Sequence, residues 1–199
     1  MFARVITFRG AEHIEDGVTF VREKVLPVIS GLQGYKGLTI SADRSAPLVG
    51  ILSLWESEDA RKASEAALND ARQEGNAVIG GQMTVENYEQ VMVEMAGQAG
   101  PGSALLVQRV SMDPGVMKDN EAFFAREVAP RIKANPGFVG LRQLVDRDAG
   151  RAIVGTMWSD RSALDAALAD AESRRDEARG RGVNFDDVSK REILFTDLP

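Results

Sequence analysis

Two stretches, GLQGYKGLTISADRSAPLVGILSLW (residues 31–55) and ANPGFVGLRQLVDRDAGRAIVGTMW (residues 134–158), share one pattern. Each carries a glycine, an aromatic residue, a second glycine, an Asp-Arg pair and a closing tryptophan at the same internal spacing. A shift of 103 places Gly34 on Gly137, Gly37 on Gly140, Leu38 on Leu141, Asp43 on Asp146, Arg44 on Arg147 and Trp55 on Trp158. Outward from this segment the same shift pairs Phe20 with Phe123, Pro27 with Pro130, Val85 with Val188 and Glu89 with Glu192. Glycines, prolines and tryptophans that agree in order without a gap mark a tandem duplication. The pattern divides the chain into repeat 1 (residues 1–95), a small, turn-prone linker AGQAGPGS (96–103) and repeat 2 (104–199).

Each repeat reads in the same element order. ARVITF and SALLVQRV are short β-branched runs, hence strands. Val18, Val21, Val25, Ile29 and Leu32 recur at spacings of three and four, which marks one face of a helix. Pro27 and Pro130 fall inside these helices, and a missing N–H with a clash against the preceding turn predicts a kink in both. Gly34 and Gly137 suit a left-handed helix end. A strand, an Asp-led hairpin turn (DRSAP, DRDAG), a third strand and a second helix follow, the helices capped by Ser57 and Asp160. The inner faces of these second helices read as alanine seams, Ala60, Ala63, Ala67 and Ala71 in one and Ala163, Leu164, Ala167, Leu168 and Ala171 in the other. VENYEQVMVEM and VSKREILFTDL close the repeats as strands.

The order β-α-β-β-α-β is the ferredoxin-like unit, so the fold class is α+β. Leu48, Val49, Ile51, Leu52, Leu54 and Trp55 make the third strand apolar at nearly every position, which predicts burial on both faces. One repeat cannot cover the second face of its own sheet; a copy can. Two βαββαβ repeats forming an intramolecular dimeric α/β-barrel are therefore expected.

Composition narrows the partners. With 44% hydrophobic and 27% charged residues the chain can build a core, and its net charge of −6 argues against a nucleic-acid backbone as partner. Without cysteine there is no disulfide framework and no thiolate ligand. The start reads as no signal peptide and no stretch reads as a membrane span, so a cytoplasmic protein that associates with no membrane is expected.

At GYKGL and PGFVGL, and at the tryptophan before WESEDA and WSDRSALDA, the chain resembles the antibiotic-biosynthesis-monooxygenase-like domains of the dimeric α/β-barrel superfamily. That resemblance implies the barrel, supplied here by one polypeptide. It also implies a range of activities, among them cofactor-independent oxygenation of aromatic polyketides and haem degradation. The haem-degrading branch is similar in outline but has a tryptophan and an iron-ligating histidine on the second helix. Both are absent from EDARKASEAALNDARQEG and RSALDAALADAESRRDEARG, and the lone histidine, His13, precedes the first helix. Haem degradation is set aside on that ground.

Ser53 and Thr156 occupy equivalent positions, each two residues before its tryptophan, so hydroxyl and indole share a strand face. If that face lines the barrel, Ser53, Trp55, Thr156 and Trp158 make a pocket wall for a small apolar or aromatic molecule; otherwise the tryptophans are core between helix and sheet. Gln108 and Arg109 join the candidate pocket set, with Thr7, Arg142 and Gln143 as further polar strand residues and Tyr35, Tyr88 and Phe138 as further aromatics. A cofactor-free oxygenase must take a proton from its substrate and steady the anion, a task suited to arginine or glutamine. No metal site is expected: Glu12, His13, Glu15 and Asp16 read as a solvated helix start. The expected function is binding of a small aromatic or polyketide-like compound with cofactor-independent monooxygenation. A non-catalytic binding or assembly protein is the alternative, and further homo-oligomers are compatible with either.

Overall fold

The structure, a computed structural model, describes residues 1–169 and 171–198; Asp170, within the second helix expected for repeat 2, and Pro199, the end of that repeat, lie outside the described residues. The fold is α+β, with two βαββαβ halves and eight antiparallel strands closed into one barrel in the order β1-β3-β2-β8-β5-β7-β6-β4. Among the described strands, closure leaves no edge unpaired.

In the first half, β1 (Phe2–Arg9) leads to α1 (Ile14–Phe20), a π-helical turn (Val21–Val25) and α2 (Leu26–Ile29). Strands β2 (Tyr35–Asp43) and β3 (Leu48–Trp55), helix α3 (Glu58–Ile79) and strand β4 (Gln82–Met95) follow. The second half repeats the order: β5 (Ala104–Ser111), α4 (Pro114–Phe123), a π-helical turn (Phe124–Val128), α5 (Ala129–Lys133), β6 (Phe138–Asp146) and β7 (Arg151–Trp158). The helix α3 has as its counterpart two helices, α6 (Arg161–Ala167) and α7 (Ala171–Arg179), before β8 (Asn184–Thr196). Residues 96–103 carry no helix or strand.

By contact the chain forms two compact units, Met1–Glu89 with Ile193–Pro199, and Gln90–Glu192. The last strand of each repeat is the reason. β4 pairs with β1 only over Gln82 to Glu89, and β8 with β5 only over Asn184 to Glu192. Their overhanging ends then pack elsewhere: Leu194 and Phe195 in the core of unit 1, Met92 and Val91 in unit 2.

The duplicated sequence features become duplicated geometry. Gly34 and Gly137 adopt φ of 80° and 78°. A Cβ on Gly34 would stand 2.6 Å from Ala60 Cβ, and one on Gly137 2.5 Å from Ala163 Cβ, so glycine lets each helix end lie against the next helix. Asp43 and Asp146 accept backbone N–H bonds inside their hairpin turns, and Ser57 and Asp160 cap α3 and α6. Tyr35 meets Trp55 edge-on at 5.7 Å between ring centroids, and Phe138 meets Trp158 at 5.9 Å.

One expectation is made specific and one changes. A π-helical turn precedes each of Pro27 and Pro130: Leu26 N–H bonds to Val21 O and Ala129 N–H to Phe124 O, one residue wider than an α-helix. The wider turn absorbs the misfit that a proline ring would otherwise force on the helix. The alanine seam of α3 is also displaced. Ala63 and Ala67 are exposed, and the buried face is Arg61, Ser64, Leu68, Gly75 and Ile79. The cause lies on the sheet, where Arg4 reaches this face and bonds to Ser64 and to the Arg61 carbonyl.

Candidate functional site

The hydroxyl-indole face of β3 and β7 packs against the helices. Trp55 is fully buried in the unit 1 core and Trp158 packs with Ala129, Ile132, Leu164 and Ala167 in unit 2. Trp55 Nε1 donates to Ser53 Oγ at 3.2 Å and Trp158 Nε1 to Thr156 Oγ1 at 3.0 Å. The tryptophans are thus core residues between helix and sheet. Each helix-sheet layer nonetheless encloses a cavity, about 60 Å³ in unit 1 and 110 Å³ in unit 2.

Strand register defines the floor of each. In unit 2 the cross-strand rows are Leu106–Thr156–Leu141, then Gln108–Val154–Gln143, then Val110–Ala152–Val145. In unit 1 the matching rows are Arg4–Ser53–Leu38, Ile6–Ile51–Ile40 and Phe8–Val49–Ala42. Duplication has kept the hydroxyl, but the other polar groups stand in different rows. Roofs come from Phe20, Val21, Val25, Leu68, Arg72 and Gly75 in unit 1, and from Phe124, Val128, Leu164, Leu168 and Arg175 among others in unit 2. Both π-helical turns therefore supply cavity wall.

The larger cavity gathers Gln108, Thr156 and Trp158 from the residues expected to line a pocket, and the smaller one gathers Ser53. Arg109 and Arg142 lie on the opposite faces of their strands from Gln108 and Gln143 and line neither cavity. Arg142 instead donates to Gln90 Oε1 at 3.0 Å, and burial lowers the pKa of its guanidinium. His13 is exposed, lines neither cavity, and its Nδ1 stands 4.0 Å from Asp16. Among the described residues no three His, Cys, Asp or Glu side chains gather at metal-binding distance.

Within the unit 2 cavity, Gln143 is 6% exposed and stands across Val154 from Gln108 on the cavity floor. Gln108 Oε1 accepts from Arg175 Nε at 3.2 Å. Glu172 and the ring of Phe185, 5.9 Å away, hold the same guanidinium. At the wall, Glu121 accepts two bonds from Arg147 at 3.0 and 2.8 Å.

Sequence reading missed Arg175 and its equivalent Arg72, which reaches Glu65 at 2.7 Å at the wall of the smaller cavity. The signal was present, since 72 and 175 differ by 103, the repeat shift. It also missed Arg4, buried at the other cavity, where β1 and β5 align by 102 rather than 103.

No family model matches the chain. It is 25% identical over 166 residues to an uncharacterized protein of Mycobacterium tuberculosis, an alignment covering 83% of this chain and 74% of that one. Among solved structures it is similar to an anthrone oxidase-like protein, with a TM-score of 0.70, 16% identity, and coverage of 98% and 92% of the two chains. It is also similar to a Listeria monocytogenes ferredoxin-fold protein related to antibiotic biosynthesis monooxygenases, with a TM-score of 0.58, 8% identity, and coverage of 96% and 94%. The chain has the ferredoxin-like α/β-barrel fold of the antibiotic-biosynthesis-monooxygenase-like proteins, with both βαββαβ halves in one polypeptide.

Proposed function

We propose that the unit 2 cavity binds a small, flat, mostly apolar molecule bearing an oxygen, and that the chain oxygenates it without a cofactor. The observation that carries this reading is the amide of Gln143, 6% exposed and gathered with Gln108 and Thr156 on the floor of a cavity whose lining is mostly apolar. An apolar cavity with a few convergent polar groups is the common form of a small-molecule site.

The substrate class is an aromatic or polyketide-like compound with an acidic ring CH₂ conjugated to a carbonyl through the flanking aromatic rings. Removing one proton gives an enolate, whose carbon reacts with oxygen; one oxygen atom enters as a carbonyl and the other leaves as water. Gln143 N–H and the Thr156 hydroxyl stabilise the enolate oxygen, with Arg175 supplying positive charge beside Gln108. Glu121 is the carboxylate in the wall and the group assigned to take the proton.

Oxygen uptake by the purified chain with an anthrone tests the reading. Uptake that falls at least tenfold in Gln143→Leu supports it. Anthrone binding without uptake leaves the ligand-binding function alone, and neither binding nor uptake overturns the site.

A further inference from the structure

We propose that the unit 1 cavity is a second ligand site, taking a small monocarboxylate with an apolar body, its carboxylate held by Arg4 and Ser53. The two residues are direct cross-strand neighbours on the face that floors the cavity. Arg4 is 2% exposed. Its Nη atoms bond to Ser64 Oγ at 3.0 Å, to the Arg61 carbonyl at 2.9 Å and to Glu65, while its Nε–H has no acceptor. Ser53 Oγ accepts from Trp55, which leaves its hydroxyl proton to donate.

The charge around Arg4 is unbalanced. Three guanidinium groups, from Arg4, Arg61 and Arg72, converge on the one carboxylate of Glu65. Glu58 approaches Arg61 at 3.5 Å but is shared with Lys62 at 3.0 Å. An incoming anion would relieve this excess and gain charge-assisted hydrogen bonds. Apart from Arg72, the rest of the lining, including Phe8, Phe20, Leu38, Ile51 and Leu68, is apolar.

Repeat 2 shows that the fold does not need this cluster. Where unit 1 has Arg4, Arg61, Ser64 and Glu65, the equivalent positions of unit 2 are Leu106, Leu164, Ala167 and Leu168. Buried ionic groups seldom stabilise a core better than well-packed apolar ones. A cluster kept at that cost in one copy, beside a cavity and with a donor to spare, fits recognition of an anion. The two copies then hold different ligand chemistries, one neutral and one anionic.

The chain has two tryptophans, so Trp158→Phe leaves Trp55 as the sole indole, reporting on Ser53. Titration with benzoate and with its neutral isostere benzamide, read by Trp55 fluorescence, is expected to show saturable benzoate binding at least tenfold tighter than benzamide. Calorimetry on the unsubstituted chain should show the same preference. Arg4→Met should remove the preference, and Ser53→Ala, which spares the arginine cluster, should weaken benzoate several-fold. Equal affinities for the two probes, or a benzoate response surviving in Arg4→Met, overturns the proposal. A benzoate response seen only from Trp158, in a Trp55→Phe chain, would move the anion to unit 2 and also overturns it. Failure of anthrone binding at Gln143 has no bearing on either result.

Discussion

Trp158 donates its indole N–H to Thr156 Oγ1 at 3.0 Å, two residues back along the same strand. With that lone pair occupied, the threonine hydroxyl can turn its own proton toward the cavity it lines. The bond therefore fixes the indole and orients a donor at once. Thr156→Val keeps the shape but strands a buried indole N–H, and should cost about 1–3 kcal/mol in urea unfolding. Thr156→Ser should recover most of that loss.

Gly137 should tolerate no side chain. At φ 78°, with Ala163 Cβ 2.5 Å from the position a Cβ would take, Gly137→Ala meets both backbone strain and a clash. A loss of more than about 2 kcal/mol is expected. Ala163→Gly in the same chain should return the clash component but leave about 1–2 kcal/mol of backbone cost. Thermal unfolding of the single and double variants separates the two.

Glu65 should make stability depend on acid. Burial alone would raise its pKa, but the hydrogen bond from Arg72 and the charges of Arg4, Arg72 and Arg61 together hold it below the usual carboxylate value. A depressed folded pKa contributes stability that is complete above the unfolded value of about 4.3 and is lost as pH falls through the lower folded value. Glu65→Gln should therefore be less stable than the parent at neutral pH, with the gap closing below about pH 4. Denaturant midpoints at pH 7, 5 and 3 would show it, and a gap of constant size would remove the assignment.

Val154 sits between Gln108 and Gln143 in its cross-strand row, facing the unit 2 cavity. Val154→Phe should fill space rather than displace neighbours, changing stability by less than about 1.5 kcal/mol. Anthrone affinity should fall at least tenfold, while benzoate titration of Trp55 stays as in the parent. Unchanged anthrone affinity would show that the ligand lies elsewhere.

The sequence alone determined the duplication, the order of elements in each half, and the local devices that build them. Gly34 with Gly137, Asp43 with Asp146, and Ser57 with Asp160 act through their own backbone neighbourhood, so a one-dimensional pattern suffices to read them. Periodicity also fixed which strand residues share a face, hence that Ser53 lies with Trp55 and Thr156 with Trp158. Which face meets the helices was a matter for tertiary structure, because a strand apolar at nearly every position gives no alternation to tell its two sides apart. The same holds for the cavities. Arg4 meets Ser64, and Arg175 meets Gln108, from positions tens of residues apart, through strand register and helix packing. The first strands align by 102 where the rest of the repeat aligns by 103, so a single sequence shift could not bring Arg4 onto Leu106.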